Sequence, residues 1–197
     1  MSTTTPRRRK QRPQHALPPP VRLAHGGAPW SEHVVLANGR ELLLRQIDRR
    51  DAAALRAGFA TLTPQEVRMR FMHSMSELGE AESERLANPD PAHEFALVAT
   101  EPLPPGEALV GAVARASIEG DTADFALLVG RPLTRLGLGA WMLRRVVQWA
   151  RRRRVQRVCG DVLLENDAML HLAQSLGFSR APTAGEPGVQ RICLELN

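Results

Sequence analysis

Asp124-Phe-Ala-Leu-Leu-Val129 runs directly into Gly130-Arg-Pro-Leu-Thr-Arg-Leu-Gly137-Leu-Gly139-Ala140, and that into Trp141-Met-Leu-Arg-Arg-Val-Val-Gln-Trp-Ala150. The first block is apolar and of strand length. The second is a short loop with glycines at 137 and 139. In the third, Met142, Leu143, Val146, Val147 and Ala150 recur at helical spacing. Arg144, Arg145, Gln148, Arg151 and Arg152 fall on the opposite side, and the helix is predicted over Leu138 to Arg153. A strand therefore ends in a glycine-bearing turn that opens a helix. The first turn of a helix carries unpaired N–H groups and a partial positive charge. Glycines there let a phosphate approach the main chain with no side chain in between, so the turn is a candidate anion site.

Two glycines are a weak signal alone, since plain loops and nucleotide folds also use them. The surrounding elements narrow the choice. Upstream, Val34–Leu36 and Glu41–Ile47 flank Asn38-Gly39 and read as a hairpin. Asp48 caps a helix to about Leu62. Thr63-Pro64-Gln65-Glu66 starts another, with a capping box and proline at the first position, that runs to about Phe71. Ser76–Ala87 reads as a third helix, stopped by Asn88-Pro89-Asp90-Pro91. Glu94–Thr100 is a strand apolar enough to be covered on both faces. Ala108–Ile118 and Thr122–Val129 pair as a hairpin. Downstream come a strand over Val155–Leu163, a helix over Asp167–Leu176 and a last strand over Val189–Leu196. The expected fold is α/β with a mixed, mostly antiparallel sheet flanked by helices. The strand that ends at Val129 and the one that follows its helix are expected to form a parallel crossover. A dinucleotide site wants its glycine turn after the first strand of a parallel sheet. A phosphate loop of the NTPase type wants Gly-Lys-Ser/Thr. Neither pattern is present.

Composition adds bounds. The chain has 197 residues, 43% of them hydrophobic, and no apolar run of membrane-spanning length. Six of its 26 basic residues and none of its 21 acidic ones fall in residues 1–30, so the formal charge of +5 becomes −1 without that stretch. With Pro18, Pro19, Pro20 and a basic run, residues 1–30 are expected to be a disordered tail, and residues 31–197 the single folded domain. No apolar stretch follows the basic cluster, so no secretory signal is read and a cytoplasmic location is expected. Cys159 and Cys193 lie in apolar runs and are expected to be reduced core residues. No CxxC, HxxxH or HExxH spacing occurs, so no metal is expected. Arg151–Arg154 closes a helix, where cations suit the dipole. Without interleaved aromatics it does not read as a nucleic-acid surface.

Over Glu41 to Asn197 the chain resembles the GNAT superfamily of acetyl-CoA-dependent N-acyltransferases, and within it the bacterial protein lysine acetyltransferases. The likeness is carried jointly by Leu43-Leu-Leu-Arg-Gln-Ile47, Arg68-Met-Arg-Phe71, Asp124-Phe-Ala-Leu-Leu-Val129, Gly137-Leu-Gly139, and Asn166 with Leu176-Gly-Phe178. The resemblance implies a sheet splayed at the cofactor strand pair. It implies that the pantetheine arm of acetyl-CoA lies along Leu127, Leu128 and Val129, with one N–H there stabilising the thioester oxyanion. The pyrophosphate would lie on Thr134, Arg135, Leu136, Gly137, Leu138, Gly139 and Ala140. Two positions depart from the family pattern: Thr134 stands for Gln/Arg, and Arg135 for a glycine. Asn166 would face the cofactor arm, cap the next helix, or do both.

The resemblance further implies transfer of the acetyl group to an amine, a protein lysine or else a small amine. A lysine at its reference pKa costs about 4.6 kcal/mol to deprotonate at pH 7, so a carboxylate base is expected. Asp124 takes the place of the family's glutamate, one methylene shorter, and Asp161 on the adjoining strand is the second candidate. The tyrosine that serves many relatives as general acid corresponds to Ala173, and the chain contains no tyrosine. His171 is expected to be exposed. The other open readings are a non-catalytic CoA-sensing module and a nucleic-acid association through the tail. Acceptor identity, acyl chain length and oligomeric state have no readable signal.

Overall fold

The computed structural model describes residues 30–182 and 187–196. The expected disordered tail falls outside the described residues except for Trp30, which packs against the core. The elements in chain order are β1 (Ser31–Val35), β2 (Glu41–Gln46), a 3-10 turn (Arg49–Asp51), α1 (Ala52–Ala60), α2 (Pro64–Phe71) and α3 (Glu80–Ala87). There follow β3 (Glu94–Thr100), β4 (Val110–Glu119), β5 (Thr122–Val129), a second 3-10 turn (Arg131–Leu133) and α4 (Leu138–Arg152). The chain ends with β6 (Arg157–Leu163), α5 (Asp167–Ser175), β7 (Ser179–Arg180) and β8 (Val189–Glu195).

The strands form one sheet in the order β1-β2-β3-β4-β5-β6-β8-β7. Every pairing is antiparallel except β5 with β6. The fold is thus the mixed, mostly antiparallel α/β sheet that the sequence predicts. One face carries a core built on Leu138, Met142, Leu143, Val146 and Trp149 of α4. The other carries Leu55, Phe59, Val67 and Leu78 from the α1–α3 segment against Ala96 and Val98. That double cover explains why β3 is buried along almost its whole length.

Local signals act as expected. Asp48 accepts from Arg50 N at 2.9 Å and forms a reciprocal box with Asp51. Thr63 and Glu66 cap α2 the same way, with Pro64 at its first position. Three expectations are corrected, and one strand appears that no expectation covered. α3 starts at Glu80 rather than near Ser76, because Gly79 is its cap residue and has the extended backbone of a helix boundary. The short β7 has no local signal and exists only by pairing with β8. Arg145, assigned to the outer face of α4, is buried: Glu32 of β1 accepts from its guanidinium, and the Trp30 ring lies 5.6 Å from its Cζ. The cysteines are joined rather than reduced. The register of β6 and β8 sets Cys159 opposite Cys193 with Cα atoms 4.1 Å apart, and they form a disulfide.

Candidate active site

The site begins where two strands separate. β5 pairs with β4 over its whole length, and β6 pairs likewise with β8. Between β5 and β6, however, pairing is confined to Thr122–Arg157, Ala123–Val158 and Asp124–Cys159. Beyond Asp124 the strands part. Phe125 lies at the fork. A Cβ on Gly160 of β6 would fall 2.6 Å from Phe125 Cε1, so the ring rests against bare backbone. Phe178 holds it from another side, edge to face at 5.4 Å.

Past the fork, one edge of β5 is free. Gly130 N donates to Gly111 O at 2.9 Å, which fixes the phase of the β4–β5 ladder. Hydrogen-bonded and non-bonded pairs alternate in such a ladder. Leu128 therefore spends its backbone groups on β4, whereas Leu127 and Val129 turn theirs to the gap. Of the three residues expected along the cofactor arm, Leu127 and Val129 present main chain to the gap. Leu128 instead lines a cavity on the α1–α3 face of the sheet.

The gap leads into the glycine turn. Gly137 has φ +84°, and a Cβ there would meet nothing within 4 Å. Arg135 holds the left-handed backbone, at φ 60°. Its position, where the resemblance leads one to expect glycine, does need the glycine-like conformation, and arginine adopts it at a cost on the order of 1 kcal/mol. Leu138, Gly139 and Ala140 form the first turn of α4, where N–H groups have no intrahelical acceptor. Their backbone and that of Leu136 is what the turn offers, since Leu138 is buried and Leu136 packs on the core. Gly139 has a packing reason as well: a Cβ there would approach Leu172 Cδ2 to 3.2 Å. Thr134 is exposed and turns its hydroxyl to Arg131 O at 2.9 Å.

On the α1–α3 side of the fork lies a cavity of about 240 Å³. Asp124, Ala126, Asp161, Asn166 and Arg191 line it, and Met69 and Arg70 of α2 with Met72 just after it cover it. Two ion pairs orient that cover over both lips of the gap. Arg68 Nε lies 2.9 Å from Glu165 Oε1, beside Asn166, and Arg131 Nε lies 3.4 Å from Glu66 Oε1, after β5. Both candidate bases reach into the cavity, and one arginine holds both. Arg191 of β8 donates from Nη2 to Asp124 Oδ1 and from Nη1 to Asp161 Oδ2 at 2.8 Å. Asp124 keeps a side chain 35% exposed, so the pairing does not seal it from a ligand. Asn166 caps α5, accepting from Met169 N at 3.1 Å, and also lines the cavity. His171 is exposed, as expected, and Ala173 is buried.

A second cavity of about 550 Å³ adjoins along α1 and α2, with mainly apolar walls that include Leu55, Phe59, Leu78, Val113 and Leu128. Glu94, at the start of β3, lines neither cavity. Two arginines escaped the sequence reading. Arg191 lies in a mostly apolar strand sequence, and its available signal is the lone charge within Val189-Gln-Arg-Ile-Cys-Leu194. Arg70, within Arg68-Met-Arg-Phe71, carries no local signal for a site role, yet it lines both cavities.

A family profile described as an acetyltransferase (GNAT) domain matches residues 41–179. Among solved structures, the GNAT domain of S. lividans PAT is similar with a TM-score of 0.76 at 24% identity, covering 85% of this chain and 97% of that one. Spermidine N-acetyltransferase from Vibrio cholerae, in complex with CoA and spermine, gives 0.62 at 16% identity over 78% of this chain and 95% of that one. A cAMP-binding acyltransferase from Mycobacterium smegmatis gives 0.58 at 23% identity, over 86% of this chain but 48% of that one. At these identities the structural likeness is one of fold.

Proposed function

The chain belongs to the GNAT acetyltransferase family and is an acetyl-CoA-dependent N-acyltransferase, and from that premise we propose that it acetylates a protein lysine, with Asp124 as the base. One observation carries the assignment of Asp124. It is the last β5 residue paired with β6, at the point where the gap opens, and it lines the cavity beyond.

The residues present fit acetyl-CoA. The open space at Gly137 and the free N–H groups of Leu138, Gly139 and Ala140 suit a pyrophosphate. Arg135 adds a cation beside them. The gap along Leu127 and Val129 suits an extended arm. Bound there, acetyl-CoA would supply an acetyl group activated as a thioester. The chain's own residues do the rest. The Leu127 and Val129 N–H groups face the gap, where they receive the negative charge that develops on the thioester oxygen. Asp124 takes the proton of the attacking amine, directly or through water. Arg191 keeps its carboxylate oriented and is held in turn by Asp161. With Ala173 where many relatives have tyrosine, that position supplies no acid to the leaving thiolate. A thiol with a reference pKa of about 8.5 leaves without one.

The expected outcome for Asp124→Asn is retained acetyl-CoA affinity by calorimetry with a loss in kcat of roughly 10²–10⁴-fold. Asparagine preserves shape, and Asp161 still holds Arg191. A full rate in this variant would remove Asp124 from the mechanism. Acceptors come from mass spectrometry of lysate proteins after incubation with labelled acetyl-CoA. A second reading, a small-amine acceptor, is favoured by the apolar cavity of about 550 Å³, a volume in the range of small-molecule sites.

A further inference from the structure

Four arginines line the larger cavity: Arg40, Arg70, Arg115 and Arg131. Three have carboxylate partners. Arg40 meets Glu101 at 3.0 Å, Arg131 meets Glu66 at 3.4 Å, and Arg115 meets Glu94 at 3.8 Å while donating to Leu86 O. In the smaller cavity Arg191 takes both Asp124 and Asp161. Arg70 lines both cavities and, among the described residues, has no carboxylate or carbonyl partner. Its guanidinium meets the Phe71 ring, with Cζ 4.8 Å from the centroid. Burial, and after it the Arg115 charge, push its pKa down to about 10, so it still carries its charge at neutral pH. A partly buried cation without a counter-ion is costly unless something completes it.

We propose that the acceptor carries a carboxylate beside its amine, that Arg70 receives this carboxylate while the amine faces Asp124, and that the acceptor's apolar body enters the larger cavity. The inference rests on the acyl-transfer reading above and narrows its acceptor. Charge balance supports it. The smaller cavity has two carboxylates, Asp124 and Asp161, and two guanidiniums, Arg70 and Arg191, and so is neutral. A bare ammonium would make it positive, and a polyamine would find both carboxylates already engaged by Arg191. An amine that brings its own carboxylate keeps the balance and supplies the missing partner of Arg70. Guanidinium suits this task, since its fork matches a carboxylate with two parallel N–H···O bonds. The larger cavity adds the second requirement, because its apolar walls gain from burying hydrocarbon.

The same chemistry has two sources: a free amino carboxylate, or a lysine flanked by an acidic residue. The test uses the full chain and acceptor pairs that differ only in the carboxylate. One arm compares leucine with 3-methylbutylamine and phenylalanine with phenethylamine. The other compares amidated lysine pentapeptides with glutamate or glutamine on either side of the lysine. In one arm, which identifies the source, kcat/KM should be about tenfold or more higher for the carboxylate member. Arg70→Gln should bring that ratio to about one, and Arg70→Lys should keep part of it, with circular dichroism and acetyl-CoA binding checking the fold. Equal rates within every pair overturn the inference. If no amine turns over, the acyl-transfer reading has failed, and the anion site is then read by calorimetry. N-acetylleucine and N-acetyl-3-methylbutylamine are titrated into the protein with CoA. Tighter binding of the acid that Arg70→Gln removes supports the site; equal binding, or none, overturns it.

Discussion

Gly160 is bare because Phe125 occupies the space where its side chain would go. A methyl group at 160 would fall 2.6 Å from the ring, well inside contact distance. The ring is wedged from the other side by Phe178, so it has little room to retreat. Gly160→Ala should therefore destabilise the fold by about 1–3 kcal/mol, the usual cost of overpacking, read from urea unfolding. Because the ring sits at the fork, acetyl-CoA affinity should fall as well. An alanine variant with unchanged stability and affinity would remove Phe125 as the wedge. Arg191 acts at the same scale. One side chain from β8 sets the direction of Asp124 on β5 and Asp161 on β6, which links the catalytic proposal to a strand that contributes nothing else to it.

β6 and β8 together form the wall on which that arginine stands. They pair over seven residues, and the disulfide between Cys159 and Cys193 crosses the ladder two residues away from Asp161 and Arg191. Alkylation under non-reducing conditions, followed by mass spectrometry, should find no free thiol. Cys159→Ser with Cys193→Ser should cost about 2–4 kcal/mol, since the bridge closes a loop with a sequence separation of 34. A doubly alkylated chain without reductant would show the strands pair without the bond. α2 is the other element that shapes the site. Its limits are written locally, in Thr63, Pro64 and Glu66. Its placement is not: the ion pairs to Glu165 and Arg131 join residues 97 and 65 positions apart. Such exposed pairs contribute roughly 0–1 kcal/mol each, so they orient the helix more than they hold it.

At the scale of the molecule, one buried ion pair ties the start of the sheet to its middle. Asp51, with a side chain fully removed from solvent, accepts from Arg45 Nη1 at 2.7 Å and Nη2 at 2.9 Å, and from the N–H groups of Asp48 and Gly106. Burial alone would raise its pKa, but the Arg45 guanidinium and those N–H donors outweigh it, and the carboxyl lies below its ordinary value. The folded pKa is thus below the unfolded one. The resulting stability is present above the unfolded carboxylate value of about 4 and is lost as pH falls through the folded value. Thermal midpoints should drop below about pH 4. Asp51→Asn should flatten that drop and cost about 3–5 kcal/mol at neutral pH, because it strands a buried guanidinium. A midpoint insensitive to Asn at 51 would refute the linkage. How much of all this was legible follows from range. Caps, the Asn38-Gly39 hairpin, the amphipathic α4 and the strand–turn–helix around Gly137 were readable, because each is decided by residues within about a helical turn of one another. From them the alternation of elements, the fold class and the turn proposed to hold an anion followed from sequence alone. What required the tertiary structure was everything set by packing between distant elements: the Cys159–Cys193 bond, the burial of Arg145 beneath Glu32, the grip of Arg191 on two carboxylates, and the isolation of Arg70 between two cavities. Those pairings join residues from 30 to 113 positions apart, and which side chains meet at such separations is decided by packing of the whole sheet, not by any local preference of the chain.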